Sequence, residues 1–248
     1  MEKNFSPEDL DKQGEDYSKE KSVNYSAYIY PYRYKIVRKR MSGPKVLELG
    51  IGNADVTSLL SGNEGFEITS VDGSQLVLNN ATNKVPHPER VTFVHSYFED
   101  FETHGTFDDI LMTNILEHVD DPVELIKRIK NYLKPDTGRL HITVPNAMSL
   151  HRMLGKEMGM LLDETALNVH DIQVGHQRVY TTKLMSEHIN KAGLKIVDKD
   201  GVILKALSNV QINALIDTHG QKLVDGLFAV GSRLPEYAAE IYFCCKRR

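Results

Sequence analysis

The chain has 248 residues, of which 41% are hydrophobic and 26% are charged. This length suits one large α/β domain or a domain with an appended lid, and the composition excludes wholesale disorder. The formal net charge of −4 disfavours a general polyanion binder. The two cysteines, Cys244 and Cys245, are adjacent. They therefore exclude a disulfide framework, an iron–sulfur cluster and a cysteine-rich zinc site, and they suit a reducing compartment.

Neither a membrane span nor a signal peptide is expected. No run of about 18 apolar residues occurs in the sequence. The N-terminal segment Met1-Glu2-Lys3-Asn4 also lacks the apolar core of a signal peptide. We therefore predict a cytoplasmic protein that does not have a membrane as a partner.

Two segments precede the first predicted strand. Residues 1–20 are acidic and polar, which is typical of a mobile or helical arm. An aromatic cluster follows and runs into the basic residues 38–40. Its tyrosines are Tyr25, Tyr28, Tyr30, Tyr32 and Tyr34. Two interpretations stay open, a surface helix whose tyrosines pack on the domain or a lid whose hydroxyls close over a ligand.

After Gly43-Pro44 the pattern alternates between strands and helices. Strands are predicted at 45–49, 67–71, 91–94, 109–112, 139–144, 195–198 and 239–245. Helices are predicted from 55, at 74–83, 122–133, 182–192 and 209–225, the last with a break at Gly220. Such alternation predicts a mostly parallel sheet with helices on both faces. Residues 146–178 break the alternation and are rich in methionine and histidine.

A glycine turn, Gly50-Ile51-Gly52-Asn53-Ala54, follows the first strand. Glycine lets the backbone approach a ligand closely, and a helix N-terminus offers free N–H groups. A dinucleotide fingerprint would place a third glycine at position 55, where Asp55 stands. Glu48, just before the turn, would repel a pyrophosphate but favours a cationic ligand.

These residues resemble the class I S-adenosylmethionine-dependent methyltransferases. Segment 46–54 resembles motif I of that family, with Ala54 at the position of its third glycine, and Asp72 resembles the second-strand acid that binds both ribose hydroxyls. Segment 93–100 resembles the adenine-edge loop, although Ser96-Tyr97 replaces the usual Gly-Asp pair. Segment 107–119 resembles the fourth strand and its Leu-Glu-His loop. The four motifs occur in order over about residues 43–146.

The resemblance implies both the fold and the cofactor. The expected fold class is α/β, with a Rossmann-like doubly wound, mostly parallel seven-stranded sheet, an N-terminal helical and aromatic lid and an insert after strand 5. The lid spans 1–42 and the methyltransferase domain 43–248, divided into a cofactor-binding half (43–145), an acceptor-site insert and helix (146–194) and C-terminal strands and helix (195–248). The residues expected to bind S-adenosylmethionine are Glu48, Gly50, Gly52, Asn53, Asp72, Gly73, Ser74, Tyr97, Phe98 and Asn114.

Methyl transfer from a sulfonium is an in-line displacement that depends on positioning, and an oxygen or nitrogen acceptor gains from a base. Histidine suits that role near neutral pH. The candidates are His118 after the fourth strand, and His151 and His176 in the insert. For each of them a hydrogen-bonded loop role stays open.

Four other side chains are candidates for contact with the acceptor: Tyr28, Tyr32, Arg152 and Arg178. No metal site is predicted. The paired aspartates at 108–109 and 120–121 are typical of a strand start and a helix start, and thus not of a convergent carboxylate site.

The predicted function is methyl transfer from S-adenosylmethionine to an oxygen or nitrogen of a small polar metabolite. A sugar or sugar-containing intermediate is favoured, because segments 146–152 and 171–181 resemble bacterial sugar and surface-polysaccharide methyltransferases. The alternatives are another natural product, a peptide or a nucleic acid as acceptor, or a non-catalytic cofactor-binding module. The net charge and the absence of an Asn/Asp-Pro-Pro-Tyr/Phe motif disfavour nucleic acid. A homodimer stays open.

Overall fold

Seven strands form the centre of the protein. This computed structural model describes residues 6, 8–12 and 25–248, with only the backbone for 25–27. The strands are β1 (Lys45–Leu49), β2 (Glu67–Asp72), β3 (Val91–His95), β4 (Asp109–Thr113), β5 (Arg139–Pro145), β6 (Leu194–Gly201) and β7 (Glu240–Arg247). The helices after residue 24 are α1 (Tyr25–Arg38), α2 (Asp55–Ser61), α3 (Gln75–Lys84), α4 (Pro122–Ile129), α5 (Leu150–Glu157), α6 (Val169–Gln173), α7 (Thr182–Lys191), α8 (Asn209–His219) and α9 (Gln221–Arg233).

The strands form one sheet in the order β3-β2-β1-β4-β5-β7-β6. Strands β1 to β5 run parallel, and β7 lies antiparallel between β5 and β6. The prediction of a Rossmann-like, mostly parallel seven-stranded sheet is confirmed. The carboxyl ends of β1, β2, β4 and β5 therefore meet the amino end of β7 at one edge, where such sheets bind ligands.

The sheet is covered on both faces, which explains why its central strands are largely apolar. Four of the five β1 residues are buried. Val46 packs into the apolar layer that includes α1, α2 and α8. Leu47 and Leu49 point to the opposite layer, which includes α4 and α7.

The aromatic cluster lies within α1, and this helix packs on the domain. Ile29, Ile36 and Val37 are buried in the core. Tyr32 is also buried, and its hydroxyl donates a hydrogen bond to Asp225 Oδ1 of α9 at 2.7 Å. For this part of the cluster, these contacts favour the interpretation as a helix whose tyrosines pack on the domain. Most of the predicted acidic arm over 1–20, and so part of the predicted lid, lies outside the described residues.

The insert after β5 contains two helices, α5 and α6, that the sequence pattern did not predict. Asn168 and Asp171 form a reciprocal capping box at the start of α6. Arg152 of α5 forms an ion pair with Asp171 at 3.0 Å, so the two helices are tied together. Among the residues that the structure describes, no helix has the length and apolar character needed to cross a membrane.

Candidate active site

The turn between β1 and α2 follows an unusual backbone path. Gly50, Gly52 and Ala54 all have positive φ, at 74°, 48° and 57°. A Cβ atom at Gly50 would lie 3.1 Å from Ile115 Cδ1, so this position also needs glycine for close approach. The turn therefore brings its backbone against the loop that follows β4.

Asp72 ties the β1 turn to the β2 turn. Its Oδ2 accepts a hydrogen bond from the Ile51 backbone N–H at 3.0 Å, and its Oδ1 accepts one from the Ser74 N–H at 2.9 Å. Burial raises the pKa of Asp72, and backbone N–H groups of both turns oppose that shift. The carboxylate thus lies between the two turns, where the resemblance places the cofactor ribose.

Glu48 lies under the same turn and is almost fully buried. Its Oε2 accepts hydrogen bonds from Thr57 Oγ1 at 2.5 Å and Ser70 Oγ at 2.9 Å. Burial raises the pKa of Glu48 to about 7, although both hydroxyls oppose the shift. A bound sulfonium cation would favour the ionised form.

The wild type is expected to lose stability as the pH rises, because of Glu48. The Glu48→Gln variant should not show this loss. The folded chain holds the Glu48 proton up to about pH 7, whereas the ordinary pKa is 4.5. The free energy of unfolding therefore falls by about 3 kcal/mol in total as the pH rises from the lower to the higher of these two pKa values. Urea unfolding at pH 5 and pH 8 should show a smaller difference for the variant than for the wild type.

Glu67→Gln, on an exposed residue of the next strand, is the control for this comparison and should keep the wild-type pH dependence. Glutamine at position 48 retains an oxygen that can accept from Thr57 and Ser70. If the stability of the wild type and of the Glu48 variant changed equally with pH, the raised pKa of Glu48 would be disproved.

A helical segment at residues 8–12, here called the N-terminal segment, covers the β2 turn. Asp11 Oδ1 accepts hydrogen bonds from Ser74 Oγ at 2.5 Å and from the Leu76 backbone N–H at 3.2 Å. A Cβ atom at Gly73 would lie 2.6 Å from Leu10 Cδ1, so glycine permits this close approach. No local pattern predicts this contact.

The two aromatic residues predicted to line the cofactor site lie beside the turns. A Cβ atom at Gly73 would be 3.9 Å from Tyr97 Cδ1, and one at Gly50 would be 3.6 Å from Phe98 Cζ. Asn53 lies within the β1 turn, and its backbone oxygen accepts from Lys84 Nζ. The predicted cofactor residues are thus brought together along one edge of the sheet.

The loop after β4 buries a carboxyl group. Glu117 is fully buried, and neither of its carboxyl oxygens has a hydrogen-bond partner among the described residues. Burial raises the pKa of Glu117 to about 8. The charge of Glu240 adds to this shift. The backbone N–H of Glu117 itself and the charge of Arg33 oppose it. Such a group is poised to meet a donor from a ligand.

His176 is oriented by Asp171. Its Nδ1 lies 3.0 Å from Asp171 Oδ1. Because an ionised carboxylate only accepts, Nδ1 carries a hydrogen, and in the neutral ring Nε2 is then an acceptor. Burial opposes ionisation of Asp171, but hydrogen bonds from His176, Asn168 and Arg152 hold its pKa well below the usual range.

His118 completes the group. Its ring packs edge-on against the His176 ring, with the centroids 4.8 Å apart. Burial and the neighbouring His176 lower the pKa of His118 to about 4, so it is neutral at physiological pH. Ligand atoms of Glu117, His118 and His176 all lie within 4.8 Å of one another. We call these three residues the acceptor triad.

The third histidine candidate, His151, lies in the insert after β5. His151 lies in the first turn of α5, and its backbone N–H donates to the Lys205 carbonyl at 3.1 Å. Its Nδ1 is buried with no hydrogen-bond partner in the described part of the chain, and burial lowers its pKa to about 3. His151 is not among the three residues whose ligand atoms lie within 4.8 Å of one another. Its predicted role as a base stays a prediction.

The candidates for acceptor contact have partners within the fold. Arg178 donates to the backbone carbonyls of Leu116 and Val119 and so holds the loop after β4. Arg152 holds the insert through Asp171, and Tyr32 lies in the core against α9. Tyr28 is half-buried against the same apolar layer. Their predicted contact with an acceptor stays a prediction.

Sequence reasoning missed one buried network at this edge. Arg33 of α1 donates to Glu240 at the start of β7, and Glu240 also accepts from the Asn114 side chain. Arg33 and Glu240 are 207 positions apart in the sequence. No local pattern signals such a pair.

A methyltransferase-domain family model matches residues 26–199. The chain belongs to this methyltransferase family. Its cofactor is S-adenosylmethionine, as the turn geometry at Gly50 and Asp72 leads one to expect. The interpretation of the chain as a non-catalytic module is thereby set aside.

Relatives of this methyltransferase include ubiquinone biosynthesis O-methyltransferases. The Vibrio campbellii enzyme is 25% identical over 205 residues, which span 77% of this chain and 84% of the relative. The mitochondrial Schizosaccharomyces pombe enzyme is 26% identical over 121 residues, which span 47% of this chain but only 43% of the relative.

A solved structure with the same fold is phosphoethanolamine N-methyltransferase 2 from Haemonchus contortus in complex with S-adenosyl-L-methionine. It is 19% identical, with a TM-score of 0.60, and the match covers 87% of this chain and 52% of that one. At this identity the likeness supports the fold alone.

Proposed function

We propose that this methyltransferase moves the methyl group of S-adenosylmethionine to a hydroxyl oxygen of a small molecule, with His176 as the general base. The observation that carries the proposal is the Asp171–His176 pair beside the unpartnered carboxyl of Glu117. The O-methyltransferase relatives favour oxygen over nitrogen as the acceptor atom.

The described side chains supply the acid–base part of this chemistry. Asp171 orients the imidazole and stabilises its cationic form, and His176 Nε2 takes the hydroxyl proton. The oxygen lone pair forms the new bond to the methyl carbon while the carbon–sulfur bond breaks. Its electron pair stays on sulfur, which leaves neutral S-adenosylhomocysteine. Positioning of the oxygen opposite the sulfur supplies much of the acceleration.

Two adjacent hydroxyls on the acceptor would suit the acceptor triad. One hydroxyl would meet His176 Nε2 and be methylated, and its neighbour would donate to Glu117. A sugar or sugar-containing intermediate presents such a pair, as does an aromatic diol. The nearness of Glu117 and His176 atoms, within 4.8 Å, supports this pairing.

A panel of acceptors tests the proposal. Sugars with adjacent hydroxyls and aromatic diols are incubated with methyl-labelled S-adenosylmethionine, and products are identified by mass spectrometry. Matched compounds that lack one hydroxyl of the pair are the controls. Label on a diol oxygen, with little on the controls, is expected. Label on nitrogen acceptors alone would overturn the proposal.

The spacing of the acceptor triad also suits a divalent cation, since one carboxylate and two imidazoles are common ligands. Dialysis against EDTA separates the two assignments. The acid–base assignment expects an unchanged transfer rate after chelation, in line with the sequence prediction of no metal. A lost rate that magnesium, manganese or zinc ions restore would assign Glu117, His118 and His176 to a metal site.

We also propose that the N-terminal segment covers the cofactor. Leu10 and Asp11 contact the turn that begins at Gly73, next to the residue proposed to hold the ribose. This contact supports the predicted lid on the cofactor side of the site. On the acceptor side, His176 follows α6, and its partner Asp171 lies within α6.

A further inference from the structure

We propose that the Arg33–Glu240 ion pair positions Asn114 so that the Asn114 side-chain oxygen accepts a hydrogen bond from the α-ammonium group of S-adenosylmethionine. Arg33 and Glu240 act here as positioning residues, and Asn114 touches the cofactor. The inference depends on the cofactor and is independent of the identity of the acceptor and of the role of His176.

The ion pair joins the helix α1 to the ligand-binding edge of the sheet. Arg33 Nε donates to Glu240 Oε2 at 2.7 Å, and Arg33 Nη2 makes a second contact with Glu240 Oε1. Both side chains are buried, at 10% and 9% exposure. Two parallel contacts of this kind fix the plane of the carboxylate.

The fixed carboxylate in turn sets the orientation of the Asn114 amide. Asn114 Nδ2 donates to Glu240 Oε1 at 3.3 Å. A carboxylate cannot donate, so the amide nitrogen faces Glu240 and the amide oxygen faces away from it. That oxygen, Oδ1, is buried and has no hydrogen-bond partner among the residues described. Buried acceptors are normally satisfied, so this one is expected to meet a ligand donor.

Asn114 occupies the position between the two halves of the site. It follows β4 directly, with φ of 52°, a left-handed conformation that asparagine tolerates better than most residues. The next residue, Ile115, approaches the β1 turn at Gly50, and the acceptor triad begins two residues after Ile115, at Glu117. A group between the turn and the triad is well placed for the amino-acid end of the cofactor.

An ammonium group matches this environment chemically. It carries three donors and no acceptor. It therefore complements an amide oxygen, whereas an amide NH₂ group, itself a donor, would repel it. The orientation of Asn114 therefore decides whether the position attracts or repels the cofactor. The Glu240 carboxylate enforces the attractive orientation, and Arg33 holds the carboxylate in place.

A charge swap separates positioning from simple stabilisation. The double variant Arg33→Glu/Glu240→Arg keeps an ion pair but presents donors to Asn114, so the amide is expected to reverse. Calorimetry should then show at least tenfold weaker binding of S-adenosylhomocysteine. Binding of 5′-methylthioadenosine, which lacks the amino-acid end, should stay as in the wild type.

Two further variants keep the test decisive. Asp200→Asn weakens another anchor beside the same helix, the Arg40–Asp200 contact at 2.8 Å, and should leave binding of both ligands unchanged. If the charge swap does not fold, Glu240→Gln is used, because glutamine can either donate to or accept from Asn114 and no longer fixes the amide. It should weaken S-adenosylhomocysteine binding at least threefold.

Asn114→Ala combined with Glu240→Gln should bind S-adenosylhomocysteine no more weakly than Asn114→Ala alone, since both changes remove the same contact. Wild-type affinity for S-adenosylhomocysteine in the swapped or glutamine variant would overturn the proposal. An equal loss of affinity for 5′-methylthioadenosine would also overturn it, because that loss would reflect general damage to the site.

Discussion

Replacement of His176 by asparagine is expected to lower the methyl-transfer rate at least 100-fold, while cofactor binding stays unchanged. General-base catalysis contributes about 100- to 10,000-fold in enzymes, and asparagine has no basic nitrogen to take the hydroxyl proton. Its amide can still donate to Asp171, so the insert should stay folded. Single-turnover kinetics with a saturating acceptor measures the chemical step directly.

His170→Asn is the matched control for this variant. His170 lies on α6 in the same insert and is exposed, so its replacement should leave the rate unchanged. Calorimetry should show that both variants still bind S-adenosylhomocysteine, the demethylated form of the cofactor. A wild-type rate in the His176 variant would remove this residue from the proposed mechanism.

Replacement of Asp72 by alanine is expected to weaken cofactor binding by about 100-fold or more. The variant loses the acceptor that ties the Ile51 and Ser74 backbone N–H groups together. It also loses the bidentate acceptor for the ribose hydroxyls, and charge-assisted hydrogen bonds are roughly twice as strong as neutral ones. Calorimetry with S-adenosylhomocysteine measures the loss.

Two variants control for indirect effects at Asp72. Asp72→Asn keeps one side-chain oxygen but turns an amide N–H toward a backbone donor, so its affinity should fall between those of the wild type and the alanine variant. Asp136→Asn, in an exposed turn, should bind as the wild type does. Wild-type affinity in the alanine variant would show that Asp72 does not hold the cofactor.

The fold and the cofactor edge were predictable because their signals are local. The apolar runs of β1, β2 and β4 have the length and burial of central parallel strands. The glycine turn and the acidic residue at the end of β2 lie within one β–α–β unit, so the resemblance could place them together. The topology then brought them to one edge.

The rest of the site depends on contacts that no sequence window contains. The insert helices α5 and α6 were not predicted, because they are only 8 and 5 residues long and are held together by the distant pair Arg152 and Asp171. The partners of Arg178 and Arg152 within the fold could not be predicted, because the sequence around an arginine does not show whether it binds a carbonyl group, a carboxylate or a ligand. The Arg33–Glu240 pair spans almost the whole chain.

The transfer of a labelled methyl group by the wild type and by His176→Asn, followed by mass spectrometry in one acceptor panel, tests the central proposal most directly. The expected result is label on an oxygen of a compound with adjacent hydroxyls, with equimolar S-adenosylhomocysteine, and almost none with the variant despite normal cofactor affinity. Equal label with both proteins would contradict the proposed mechanism, as would wild-type label on nitrogen acceptors alone.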